Sequence, residues 1–355
     1  MSHPVLRLAS HLVGAVALAR RRWYASHPGA RRRLDRPVVS VGNLSVGGTG
    51  KTPLVGALAR LLVGMGERPA VLSRGYARER PREGVVVVSD GSSVLAGVAE
   101  SGDEPFMLAR AVPQAAVLVC ADRFAAGHLA EHRLGCTVHL LDDGFQHLRL
   151  ARDVDLLIVS HGDLDYPHPV PLGRLREPIA AAAAADAVLV ASGEPITPAQ
   201  AAAGLHVAHA FGLDRAIGGP RVFPGQAETE AGTDAPVSAP GPVFAVAGIA
   251  RPERFFGDLG AAGWTLAGTR AFRDHHRFTE REVADLRRAA QEVGARAVLT
   301  TEKDMVRLDA AGASLTPGAG PRIPFLWVPL QVTLDPSFAP WLRDRLTRAR
   351  RVRAA

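Results

Sequence analysis

Residues 38–55 read VVSVGNLSVGGTGKTPLV. An apolar run of strand character meets a glycine-rich bend, then Lys51 and Thr52, then apolar residues at helical spacing. The phosphate-binding pattern G-x-x-x-x-G-K-[ST] asks for glycine where Ser45 stands. The remaining context fits, because glycines ahead of a helix let backbone N–H groups converge on phosphate oxygens. Within Ser45-Val46-Gly47-Gly48-Thr49-Gly50-Lys51-Thr52, Lys51 is expected to reach the terminal phosphates of a nucleotide and the Thr52 hydroxyl to hold magnesium. Serine at 45 removes one steric freedom and leaves the anion nest intact.

Composition narrows the class. The chain has 355 residues, enough for two domains each with its own core. A 47% hydrophobic content is that of an ordinary globular protein, not a disordered one. The two cysteines, Cys120 and Cys136, supply neither a disulfide framework nor a metal-ligand set, which points to a reduced, cytoplasm-facing compartment. Of the 42 basic residues only Lys51 and Lys303 are lysines. A compact ammonium kept at two positions in an arginine-rich chain makes both candidates for chemistry.

The net charge of +7 is concentrated at the ends, with eight arginines up to Arg36 and six from Pro340 onward. Basic ends suit anionic partners such as lipid headgroups or nucleic acid, and equally suit solvated basic helices. The apolar stretch Val5–Ala19 is shorter than a bilayer span and is interrupted by Arg7 and His11. With Arg20, Arg21, Arg22, Trp23 and Tyr24 behind it, it reads as an amphipathic helix in the plane of a membrane interface. A helix packed on its own domain remains the other reading.

From Pro37 the chain alternates short apolar runs with helical stretches. Strands are expected at Val38–Val41, Ala70–Leu72, Val85–Val88, Ala116–Val119, Val138–Leu141, Leu156–Val159 and Ala187–Val190, and helices at Pro53–Met65, Glu104–Ala111 and Arg123–His132. This alternation predicts an α/β fold with a mostly parallel sheet and helices on both faces. Gly225–Pro242 lacks periodicity and reads as a linker. Beyond it a smaller α/β unit is expected: strand Val243–Ala247, helices Pro252–Ala262 and Thr279–Val293, strands Ala297–Thr300 and Phe325–Val328, then a basic helix from Pro336. The predicted division is therefore 1–36 for the N-terminal helix and basic segment, 37–224 for the nucleotide domain, 225–242 for the linker, and 243–355 for the smaller domain.

Further motifs carry candidate chemistry. Leu140-Leu141-Asp142-Asp143-Gly144-Phe145-Gln146-His147 puts two acids at a strand end, as in elements that position the magnesium of a nucleotide. Asp103, in Ser101-Gly102-Asp103-Glu104-Pro105, reads either as a helix N-cap or as a carboxylate able to take a proton from an acceptor hydroxyl. Gly173-Arg174-Leu175-Arg176-Glu177-Pro178 offers phosphate or magnesium contacts, or a surface ion pair. Asp274-His275-His276 has no third ligand spaced to make a metal site. Val46 stands where membrane-cycling partition ATPases carry a lysine, which counts against that alternative switch function. Thr301-Glu302-Lys303-Asp304 lacks the spacing of a GTPase base-reading motif, and no aromatic–basic interleaving supports nucleic-acid binding.

Taken together, VGNLSVGGTGKTP, SRGY at Ser73–Tyr76, GDEP, LDDGFQH, GRLREP, AGIARPERFF at Ala247–Phe256, DHH and TTEKD at Thr300–Asp304 resemble the lipid A 4'-kinase (tetraacyldisaccharide 4'-kinase, LpxK) family over most of the chain. The resemblance implies transfer of the ATP γ-phosphate to the 4'-hydroxyl of a tetraacylated disaccharide 1-phosphate lipid at the cytoplasmic face of the bacterial inner membrane. The enzyme would be peripheral or monotopic on that anionic surface, with no nucleic-acid partner. The resemblance also implies Asp103 as base with His275 as its partner, the loop residues 45–52 around ATP, and Thr52, Asp142, Asp143 and Glu177 around Mg2+. Arg123 and Tyr76 match family positions near the site; Lys303 matches one without an assigned role.

Overall fold

The computed structural model describes residues 4–47, 50–76, 78–223, 241–313 and 323–354. The chain forms two compact units, one of Met1–Asp214 with Val332–Ala355 and the other of Arg215–Gln331.

The larger unit opens with helix α1 (Pro4–Ser26) and continues through strands β1 (Val38–Asn43), β2 (Pro69–Ser73), β3 (Val86–Asp90), β4 (Ala116–Val119), β5 (Val138–Asp142), β6 (Val154–Val159), β7 (Ala187–Ala191) and β8 (His209–Ile217). Between them lie α2 (Lys51–Gly64), α3 (Val98–Ser101), α4 (Asp103–Ala111), α5 (Arg123–Arg133), α6 (His161–Asp165) and α7 (Pro198–Leu205). The smaller unit contains β9 (Arg221–Val222), β10 (Val243–Ala247), α8 (Pro252–Ala261), β11 (Leu266–Ala271), α9 (Glu280–Glu292), β12 (Ala297–Thr301), α10 (Glu302–Ala310) and β13 (Phe325–Val328). The chain then returns through β14 (Leu330–Leu334) to α11 (Phe338–Ala354).

The nine-stranded sheet runs β14-β8-β7-β6-β1-β5-β2-β4-β3. Its inner strands are parallel and β3 pairs antiparallel with β4. Alternation along each strand divides the core between two faces, as strand geometry requires. Val39, Val41, Leu140, Leu156 and Leu189 point to the face covered by Leu54, Leu58 and Leu62 of α2 and by Phe338, Leu342 and Leu346 of α11. On the other face Leu157, Val159, Val188 and Val190 meet Ala201 and Leu205 of α7, and Val38, Leu72 and Leu118 meet Ala126 and Ala130 of α5. The register sets Val41 beside Asp142, so the carboxyl ends of β1 and β5 carry the glycine loop and the two aspartates side by side. Open parallel sheets bind their ligands at that edge. The second sheet runs β11-β10-β12-β13-β9.

The expected α/β class holds, and the seven anticipated strands of the larger unit form within one or two residues of their expected limits. The domain division changes at the C-terminus. The basic helix from Pro336 belongs to the larger unit, not to the 243–355 domain. Its apolar stripe closes that unit's core, and its arginines grip the same unit: Arg353 makes two bonds to Asp153 (2.7 and 2.6 Å), and Arg350 donates to Glu67 (2.7 Å). The larger unit also gives way to the smaller at Arg215, ahead of the expected boundary at 224. The linker at 225–242 lies almost wholly outside the described residues. The chain enters and leaves the smaller unit side by side, Gly218 N donating to Pro329 O at 2.9 Å.

If α11 completes the main core, truncating one of its fully buried side chains carries the usual large-to-small cost. Leu342→Ala is expected to lower stability by about 2–5 kcal/mol in urea denaturation. A change under about 0.5 kcal/mol would show that α11 is dispensable to that core.

Candidate active site

The loop after β1 is built around Asn43. Its Nδ2 donates to the carbonyl and hydroxyl of Ser45 (2.8 and 3.2 Å), and its Oδ1 accepts from Lys51 Nζ (2.9 Å). Ser45 forms a backbone bridge with Leu175; next to it Val46 N donates to Arg174 O (2.8 Å), and Arg174 Nη2 donates to Val46 O (2.9 Å). Ser45 is not among the positive-φ residues, so nothing in its backbone calls for glycine. Glycine is needed at Gly50, which caps α2 at φ +76°, and at Gly42, where an added Cβ would lie 2.4 Å from Phe145 Cβ and 2.9 Å from its backbone nitrogen. α2 starts at Lys51, which places Lys51 and Thr52 in its first turn; Gly48 and Thr49, also expected at the nucleotide, lie outside the described residues.

Asp142 ends β5, and Asp143 follows in a left-handed conformation, φ +54°. Asp143 is clamped from both sides: Lys51 Nζ lies 3.3 Å from Oδ1, and Arg176 Nη1 donates to Oδ2 at 2.6 Å. Burial pushes its carboxyl up, but Lys51 and Arg176 outweigh it and hold Asp143 below the ordinary carboxylate range. Asp142 behaves oppositely. Burial, then the Glu104 and Asp143 carboxylates, push it up to about 7 against the pull of Lys51 and Arg123. Gln146 joins the two segments, Nε2 donating to Asn43 O (3.0 Å).

Asp103 is the first residue of α4 behind Gly102, which is the cap at φ +86°. The structure therefore does not use Asp103 as the N-cap. In the smaller unit, His275 lies between two cations of α10: Lys303 Nζ is 3.2 Å from Nε2, and Arg307 Nη2 is 3.1 Å from Nδ1. Its neighbour His276 packs on Phe272 and Phe278 and contacts Glu282 Oε1 at 2.9 Å.

The sequence model of LpxK, tetraacyldisaccharide-1-P 4'-kinase, matches residues 2–347. The chain belongs to the LpxK family. A tetraacyldisaccharide 4'-kinase of Geobacter sulfurreducens is 41% identical over 316 residues, covering 88% of this chain and 86% of that protein. One from Geobacter metallireducens is 44% identical over 283 residues, covering 78% and 80%. The crystal structure of LpxK from Aquifex aeolicus, described as an "apo" form in complex with ATP, superposes with a TM-score of 0.72 at 27% identity over 95% of this chain and 97% of that one.

Glu177, expected beside magnesium, has both oxygens bonded to the Arg21 guanidinium of α1 (2.9 and 3.1 Å), which also donates to Phe145 O (3.3 Å) and lies 4.4 Å from the centre of that ring. Asp142, Asp143 and Glu177 do not form a three-ligand cluster among the described residues. A bidentate guanidinium satisfies a carboxylate, and Glu177 is here the tether of α1. The structure also adds Asn43 and Glu104, which the sequence gave no role, and pairs Arg176 of the expected cation-bearing loop with Asp143. Glu104 sits in the quoted GDEP motif.

Raising Asp142 in the folded state sets a direction for stability against pH. Its contribution is present below its ordinary value of 3.8 and is lost as pH rises through about 7. Asp142→Asn, neutral throughout, is therefore expected to melt above the parent at pH 8, the gap closing toward pH 4. Equal melting temperatures at pH 8 would contradict this environment for Asp142.

Proposed function

We infer that this chain transfers the γ-phosphate of ATP to the 4'-hydroxyl of tetraacyldisaccharide 1-phosphate, the kinase step that yields lipid IVA in lipid A biosynthesis. The family match across residues 2–347 carries the reading. The Lys51–Asp143 pair at the carboxyl edge of the sheet supports it, because this is where a nucleotide's terminal phosphates are held in parallel α/β proteins. In the reaction a bond forms between the 4'-oxygen and the γ-phosphorus, the bond to the β–γ bridging oxygen breaks, and ADP leaves. The hydroxyl proton goes to Asp103, the proposed base. The transition state of such transfers is largely dissociative, so alignment and charge neutralisation matter more than base strength. Lys51, held by Asn43 and Asp143, is aligned for that role.

The carboxylates suit a magnesium ion. Asp143 Oδ1 is buried without a well-formed hydrogen bond, and Asp142 is crowded by Glu104 and Asp143. Asp142, Asp143 and the Thr52 hydroxyl would hold the ion, which supplies neutralisation of phosphate charge when bound.

The form of α1 supports work at a membrane surface. No helix among the described residues is long and apolar enough to cross a membrane. The polarity of α1 is inverted for a helix on a soluble domain. Its inward side is largely small or polar apart from Leu18, which packs on the core: Ser10 Oγ donates to Pro169 O (2.8 Å), Gly14 meets Pro178, and Arg21 binds Glu177. Its outward stripe is apolar, with Val5, Leu8, Leu12 and Val16 each at least 60% exposed. Such a stripe beside arginines fits an anionic bilayer interface.

Labelled ATP with tetraacyldisaccharide 1-phosphate in detergent micelles should yield labelled lipid; ATP hydrolysis without it would overturn the assignment. Asp103→Ala and His275→Ala are each expected to lower turnover by roughly a hundredfold or more while leaving the Kd for ATP nearly unchanged. A large loss of ATP affinity would contradict those roles. Replacing Leu8 and Leu12 together by glutamate keeps the Arg21 tether and should reduce flotation with anionic vesicles. Undiminished flotation would argue against α1 as the membrane contact.

A further inference from the structure

Arg20, Arg21 and Arg22 follow the apolar stretch of α1, yet they do not face the same way. Arg20 and Arg22 are exposed, while the Arg21 side chain is only 12% exposed. A cation serving lipid headgroups alone would stand outside with its neighbours. Arg21 instead reaches two segments that meet at Asp143. Its Nε and Nη2 take both oxygens of Glu177, and Nη2 also donates to Phe145 O. Arg20 Nη1 donates to the next carbonyl, Gln146 O, at 3.3 Å. α1 thus holds two consecutive carbonyls of the LDDGFQH turn.

That turn has reason to need a brace. Asp143 sits at φ +54°, a conformation that costs a non-glycine residue energy and persists where the surroundings over-determine it. On one side the turn is fixed to β1: Gly144 N donates to Val41 O (2.9 Å), and Phe145 lies flush against Gly42, where no side chain fits. On the other, the Arg21 guanidinium lies 4.4 Å from the centre of the Phe145 ring. The GRLREP segment is held in the same way. Arg176 N donates to Leu44 O (2.6 Å), Arg176 Nη1 donates to Asp143 Oδ2 (2.6 Å), and the next residue, Glu177, is bound to Arg21. The turn that carries Asp143 and the loop that supplies its guanidinium therefore share one brace. Asp143 passes the constraint on, its Oδ1 standing 3.3 Å from Lys51 Nζ.

We propose that Arg21 is a positioning residue for the phosphate-binding lysine: it fixes both segments that set the Asp143 carboxylate, and Asp143 sets the Lys51 ammonium. The proposal deepens the kinase reading and rests on it for the nucleotide at Lys51. α1 then has a second task beside its exposed stripe. An arginine suits it because two bonds to one carboxylate fix direction as well as charge, which the point charge of a lysine does not.

The test compares the full chain with Arg21→Met, Arg21→Lys and Asp143→Asn, and with each Arg21 change placed in the Asp143→Asn background. Kd for ATP is measured by calorimetry without lipid, so membrane affinity does not enter. Arg21→Met is expected to weaken ATP binding by at least about threefold, within the range for residues acting through a connected network. Arg21→Lys should fall between Arg21→Met and the parent. In the Asp143→Asn background either change should alter Kd by less than about 1.5-fold, because residues acting along one path are not additive. A general loss of folding would weaken binding alike in both backgrounds, so the cycle separates it from positioning. A parent-like Kd for Arg21→Met or Arg21→Lys, or an equal loss in both backgrounds, would overturn the proposal. A parent that binds ATP with the expected pattern but labels no lipid would count against the kinase reading and leave the role of Arg21 standing.

Discussion

The carboxylate of Asp143 is the point on which the larger unit's site depends. It stands just past β5 in a left-handed conformation, with a cation from a different chain segment against each oxygen. Lys51 arrives from the start of α2 and Arg176 from the GRLREP loop, so one anion ties three segments that are far apart in sequence. Two cations around one carboxylate keep it charged in a place where its neighbour Asp142 is driven toward neutrality. The difference between adjacent aspartates comes from their surroundings, since chemically they are the same group. The tie continues outward, because Glu177, next to Arg176, binds Arg21 of α1. A line of ion pairs thus leads from the nucleotide loop to the helix with the exposed apolar stripe.

Much of this was legible in advance where the signal is local. A strand, a glycine loop and a lysine-started helix form one continuous stretch, and the strand alternation of the larger unit gave elements within a residue or two. What holds Ser45 in place, its bonds from Asn43 and its bridge to Leu175, is not written in the loop's own letters. The less regular strands were harder. β8 and β14 are partly exposed and break the apolar pattern, so neither was anticipated. Side-chain partnerships across long separations were beyond reach: nothing in Arg21 announces Glu177, and nothing in Glu104 announces Asp142. An amphipathic helix such as α11 also declares that it has a buried face without declaring which sheet it covers.

The two arginine-rich ends show how little composition says about use. In α11 the arginines turn back on the protein and hold the acids Glu67 and Asp153, while the apolar residues go into the core. In α1 the arrangement is reversed: an arginine secures the helix to its own unit, and Val5, Leu8, Leu12 and Val16 are left outside. Counting charges at each terminus gives nearly the same description of both. Only the direction in which each stripe faces separates a helix that completes a fold from one that offers a surface.

The backbone bond between Gly218 and Pro329 bears on the engineering of the chain. Both termini belong to the larger unit, and the smaller one is a closed excursion whose entrance and exit are hydrogen-bonded neighbours. Everything between them can be regarded as a cassette inserted into a turn between two adjacent strands of an edge. Insertions whose ends lie together disturb the host least. A short turn joining the host ends would leave an uninterrupted nucleotide-type domain, and the cassette's own ends are already close enough to be sealed.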